Sequence, residues 1–184
     1  MLVLVAVGAA IAGFAFSTAA KRGDGDVADE PRSAAASPQK EVLGWEESVG
    51  SGREKLVFSV ESLEVLADGW RADIALENRT NTSYEVGATH DSPFGLMLLS
   101  TDDQEVLEEL NEAGTLPLIR PASLFEPQLP AILEPGDSWS GTISAPGALV
   151  AKSFVRVVFG RLVSVVDSEE QLSWITDRTY QLLP

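Results

Sequence analysis

The sequence predicts an all-β chain: an antiparallel two-sheet sandwich of about seven strands with one short inserted helix. Three observations carry this. Trp70, Ala72, Ile74 and Leu76 interleave with Arg71, Asp73, Ala75 and Glu77, the period-two pattern of a strand with one apolar and one mostly charged face. Seven short apolar runs, most of them separated by turn residues, crowd into the about 130 residues beyond residue 55. Long helical runs do not alternate with them, as an α/β fold would require.

At the start of the chain, residues 2–20 carry no charged side chain and consist almost wholly of Leu, Val, Ala, Gly, Ile and Phe. A helix of that length rises ~28 Å, close to the ~30 Å hydrocarbon thickness of a bilayer. The segment reads as a signal peptide or a transmembrane anchor, and the domain behind it is expected to be extracytoplasmic, or secreted if the leader is cleaved. Ser17, Thr18, Ala19 and Ala20 offer small residues for cleavage. Lys21 and Arg22 follow the apolar run, where the positive-inside tendency alone would hold them in the cytoplasm. No basic residue precedes the run, and a start further upstream would supply one.

Residues 21–55 are rich in Gly, Ala, Ser, Pro, Asp and Glu, a composition that predicts a flexible polar linker. Within it Arg22, Gly23 and Asp24 match an adhesion tripeptide, a pattern short enough to arise by chance. The sandwich is then expected over 56–184. Its first two strands, 56–66 and 70–77, are joined by Ala67, Asp68 and Gly69, a hairpin signal because Asp and Gly tolerate positive φ. Further strands are expected at 84–88, 94–99, 138–143, 155–166 and 172–182, with Gly160 marking a bulge in the long one. A helix is expected over 102–113. Thr101 and Gln104 have capping-box spacing, Val106, Leu107 and Leu110 share a face, and Gly114 stops it.

The loop Asn78, Arg79, Thr80, Asn81, Thr82 and the strand approach from Leu133 through Pro135, Gly136, Asp137 and Trp139 to Gly141 add a family likeness. Together with the apolar leader and polar linker, they resemble small exported bacterial immunoglobulin-like domains, over roughly residues 56–184. The resemblance implies an immunoglobulin-like β-sandwich. It assigns no task, and the cysteine pair of antibody domains is missing.

Composition excludes several chemistries. The chain has 184 residues with 13 Lys and Arg against 28 Asp and Glu, a net charge of −15, and no cysteine. Disulfides, thiolate metal sites and cysteine nucleophiles are therefore absent, and so acidic a chain repels nucleic acid. Consecutive residues of an extended segment point alternately, so His90, Asp91 and Ser92 cannot form a catalytic relay among themselves. Asp102, Asp103, Glu105, Glu108, Glu109 and Glu112 cluster, yet lack the alternating oxygens and central glycine of an EF-hand. The negative residues at 102 and 103 also suit a helix start. Asn78 and Asn81 are glycosylation sequons, relevant only in a glycosylating host.

The most unusual stretch is 116–135. Prolines at 117, 121, 127, 130 and 135 fix φ and remove ladder donors from a segment otherwise rich in large apolar residues. Such a segment either covers the core or forms a partner site. Leu118, Ile119, Leu124, Phe125, Leu129 and Ile132 are the candidate contact residues. The expected function is a non-enzymatic, membrane-tethered or secreted domain that binds another protein or supports an envelope assembly. No catalytic residue, metal ligand or cofactor is assigned. The alternatives are a carboxylate-based enzyme or calcium-dependent carbohydrate-binding module, revealed by facing carboxylates or converging oxygens, and a proteinase inhibitor presenting a proline-braced loop.

Overall fold

A computed structural model describes residues 34–87, 93–117, 119–169 and 171–184. The apolar segment 2–20, linker residues 21–33, the 90–92 tripeptide and Leu118 lie outside the described residues. In chain order the elements are β1 (Gln39–Ser51), β2 (Glu54–Val65), β3 (Gly69–Asn78), β4 (Tyr84–Gly87), β5 (Gly95–Leu99), α1 (Gln104–Glu112), β6 (Ile119–Pro121), β7 (Leu124–Glu126), β8 (Ile132–Leu133), β9 (Ser138–Pro146), β10 (Phe154–Ser164), β11 (Gln171–Ile175) and β12 (Tyr180–Gln181). They form two antiparallel sheets with a single short helix, the predicted fold class.

The first sheet runs β1-β2-β3-β9-β7. In the second, β10 is the hub. It pairs β5 and β4 along one edge and β12 and β11 along the other, so that Phe154 meets both Leu99 and Gln181 while Leu162 meets both Val86 and Leu172. β6 extends this sheet beyond β5 and β8 extends it beyond β4. One core joins the sheets. Phe58 of β2 meets Phe159 of β10 edge-on at 5.1 Å and stacks on Trp174 of β11 at 5.4 Å. Phe94 continues the aromatic chain, 6.2 Å from Phe159 and 5.9 Å from Phe125 of β7. Such offset and edge-on pairs add ~0.5–1.5 kcal/mol each beyond the area they bury.

The structure corrects the linker boundary. Composition predicts a tether to residue 55, but Gln39–Ser51 is β1, paired with β2 from Gln39↔Val65 to Ser51↔Glu54. The reason is a period-two pattern hidden among polar residues: Leu43, Trp45 and Val49 pack against the main core. A bulge at Gly44, where φ is +56°, interrupts the register between Val42 and Trp45. Upstream of β1, Ala35 bridges Val150 and Ala36 is buried.

Other expectations shift in detail. The Asp68-Gly69 hairpin forms, closed by Leu66 N–H donating to the Gly69 carbonyl at 2.9 Å, and the β10–β11 register slips between Phe159 and Arg161, around Gly160. The expected last strand is two, β11 and β12. The helix is capped by Asp103 rather than Thr101: the Asp103 carboxylate accepts from Glu105 N–H at 3.0 Å, and Thr101 Oγ1 accepts from Asp103 N–H at 3.1 Å. Gly114 ends the helix at φ +65°, as the sequence predicts.

Candidate functional site

The proline-rich segment becomes a strap. It leaves the second sheet at β6, crosses to the first at β7 and returns to the second at β8, closing one open side of the sandwich. Phe125 packs on Phe94, Leu129 packs against the core, and Trp139 Nε1 donates to the Gln128 carbonyl at 3.2 Å. The strap lies so close to β9 that a Cβ on Gly141 would sit 2.7 Å from the Glu126 carbonyl oxygen. Of the candidate contact residues, Ile119 joins a second apolar cluster beneath α1, and Phe125 and Leu129 line the main core. Leu124 is 50% exposed and Ile132 42%. Their neighbours Phe125 and Leu133 point into the core, so Leu124 faces outward from the first sheet and Ile132 outward from the second. The structure does not gather the five described candidates into one patch; Leu118 lies outside the described residues.

A different site is assembled on the outer face of the second sheet. Along β10, Val155, Val157 and Phe159 enter the main core, so Arg156 and Val158 project from the other face. Met97 and Leu99 of β5 join Val158 there, and Leu107 of α1 packs down on them, with Leu110, Leu116, Ile119, Phe154 and Ile175 around the margin. The helix does not cover the whole face. A groove of about 290 Å³ remains, with an apolar floor of Met97, Leu99, Leu107, Leu116 and Ile175. Gln104, Glu108 and Asn111 of α1, Arg156 of β10 and Asp177 supply its polar walls.

Arg156 is the chemically distinctive member. Its Nη2 donates to Gln104 Oε1 at 3.2 Å, which ties the helix start to β10. Its Nε is buried with no hydrogen-bond partner, as is the Nε of Arg161 further along the strand. Among the described residues the ion pairs are Lys40–Glu64, Arg71–Glu64 and Arg79–Glu77, and none involves Arg156. Glu108 and Asp177 line the same groove without pairing with it.

Two carboxylates singled out by their surroundings have structural partners. On the outer face of the first sheet, Asp73 accepts from Thr142 Oγ1 at 2.6 Å and Ser62 Oγ at 2.7 Å. The Thr142 hydrogen bond, helped by Ser62, Lys40 and Arg71, holds its carboxyl below the usual range against the opposing effect of burial. Asp103 caps α1, and among the described residues no three His, Asp or Glu side chains converge as a metal site.

Sequence reasoning passes over Arg156 and the groove. One signal is present: the run Leu96, Met97, Leu98, Leu99 is continuous rather than alternating, the pattern of a strand covered on both faces. Read that way, it places something over the outer face of the second sheet, and Arg156 beside it. Comparisons with protein-family models, curated proteins and solved structures find no match.

Proposed function

We propose that this chain is a non-enzymatic binding domain of the cell envelope, an immunoglobulin-like sandwich carried on or exported behind its apolar N-terminal segment, and that it works by contact with another protein. The observation that supports this reading is the groove between α1 and the second sheet. Its floor is apolar, and Gln104, Glu108, Asn111, Arg156 and Asp177 give it polar walls. Binding sites combine an apolar lining with a few orienting polar groups in this way. The strap serves the fold, and the groove serves the partner.

Affinity capture from native membranes with the intact chain tests the reading when Asn111→Trp is run beside it. Asn111 is exposed on α1 at the groove wall, so the indole obstructs the groove without entering the core. A partner retained by the wild-type chain and lost from an equally stable variant supports the proposal. Equal recovery on both, or none on either, overturns it.

A further inference from the structure

We infer that α1 is a lid on the outer face of the second sheet whose closure depends on ionic strength: salt holds it down on Met97, Leu99 and Val158, and its own carboxylates loosen it when screening falls. The inference concerns the helix itself and stands whether or not the groove is a contact surface.

Little holds α1 in place. It spans nine residues with Leu107 buried, while Leu110 is half-buried and Val106 is 39% exposed. Gln104 adds one hydrogen bond, accepted from Arg156 at 3.2 Å. Isolated helices shorter than ~12–15 residues are marginal in water, so this one depends on its docking, and lifting and unwinding are a single event. Lifted, it uncovers Met97, Leu99 and Val158, the apolar face on which Leu107 packs.

The charges of the helix oppose its closure. Asp103 caps the start and Glu105 lies in the first turn, where negative charge is favoured. Glu108, Glu109 and Glu112 carry the same sign on to the negative end, and the last turn holds no basic residue. Four like-charged pairs therefore stand at i,i+3 or i,i+4: Glu105 with Glu108 and with Glu109, and Glu112 with Glu108 and with Glu109. Each such pair disfavours the helix by a factor of about 1.5–2, and the four together by roughly tenfold. The sequence supplies no Lys or Arg between Arg79 and Arg120. Arg120 turns away to the Ala148 carbonyl, and in the groove beneath the helix Arg156 is one positive charge against Glu108 and Asp177. Raising the salt from ~0.01 M to ~1 M shortens the Debye length from ~30 Å to ~3 Å, which removes the repulsion and leaves the burial of Leu107 intact.

Hydrogen exchange of the full chain, read by mass spectrometry on the peptides that cover α1, tests the inference at about 0.01 M and about 1 M sodium chloride. The expected result is about tenfold stronger protection of the α1 amides at the higher salt, with the peptides of β2 and β3 changing less than about twofold. Glu109→Gln combined with Glu112→Gln, at exposed positions outside the groove lining, removes three of the four pairs. It should raise α1 protection about fivefold at low salt and leave only about a twofold gain at high salt. Glu54→Gln with Glu126→Gln makes the same change of charge at exposed positions away from the helix and should leave the tenfold response in place. Leu107→Ala removes the anchor and should lower α1 protection at both salts while β2 and β3 hold theirs. Equal α1 protection at the two salts, a gain shared by the strands, an undiminished response in the Glu109→Gln, Glu112→Gln chain, or unchanged protection in Leu107→Ala overturns the inference.

Discussion

Glu47 of β1 accepts the indole N–H of Trp174 of β11 at 2.9 Å, a hydrogen bond from the edge of one sheet to the edge of the other. The same carboxylate accepts the backbone N–H groups of Asp177 at 3.0 and 3.1 Å and of Arg178 at 3.3 Å. Glu47 is also the ladder partner of Phe58, on whose ring Trp174 stacks, so one pair fixes strand register and aromatic packing together. Glu47→Ala should destabilise the chain by about 2–3 kcal/mol, and Glu47→Gln, which keeps an acceptor, by less. Urea denaturation followed by circular dichroism measures both. A loss under ~0.5 kcal/mol for Glu47→Ala would mean that β1 is not an integral part of the sandwich.

How far the fold is legible in the sequence turns on such pairs. Trp70 to Glu77 announces β3 because its two faces meet opposite environments, oil and water, and alternation records the difference. β1 announces itself poorly: Leu43, Trp45 and Val49 keep the period, but its inward position 47 holds a carboxylate, whose burial makes sense only once Trp174 and the 177–178 backbone are in place. The strap is legible as a proline-braced cover and illegible as three short strands, because two- and three-residue pairings depend on the edges they find. The groove needs α1 docked on the second sheet, and only the unbroken apolar run at 96–99 hints at it.

The strap is predicted to act through packing. Phe125→Ala combined with Leu129→Ala should lower stability by several kcal/mol, since large-to-small changes in or against a core cost about 2–5 kcal/mol when fully buried and both residues here are half-buried. A thermal melt of the double variant decides it. An unchanged melt would show that these side chains contribute nothing to the core.

Asn78 supplies a second local test. It is fully buried, and its Nδ2 donates to the Thr82 carbonyl at 2.8 Å and the Leu133 carbonyl at 3.0 Å, while Oδ1 accepts from Thr80 N–H and Oγ1. One amide thus closes the loop after β3 and ties it to β8. Asn78→Ala removes both donations and both acceptances at a buried position and should cost about 2–4 kcal/mol. Asn78→Asp keeps the Oδ1 acceptor but loses both donations, so it should not rescue. Rescue by Asp would show that the two carbonyl contacts are dispensable.

Asp73 carries a pH signature. Its carboxyl titrates lower in the folded chain than its ordinary 3.8, with the Thr142 hydrogen bond as the leading cause. The ionised form is therefore favoured by folding. Its contribution is complete above the unfolded value and disappears as pH falls through the lower folded value. The stability gap between the wild-type chain and Asp73→Asn should stay constant from pH 7 to about pH 5 and narrow below about pH 4. Urea midpoints collected across that range test the sign, and a gap that widens on acidification contradicts it.

The groove as the contact surface is the claim on which the functional account depends, and site-specific photo-crosslinking in native membranes tests it most directly. A photoreactive residue at Asn111, on the groove wall, is compared with one at Ser140, on the outer face of the first sheet. The account predicts a discrete adduct from position 111, competed away by whatever fills the groove, and none from position 140. An adduct from position 140 alone would contradict it.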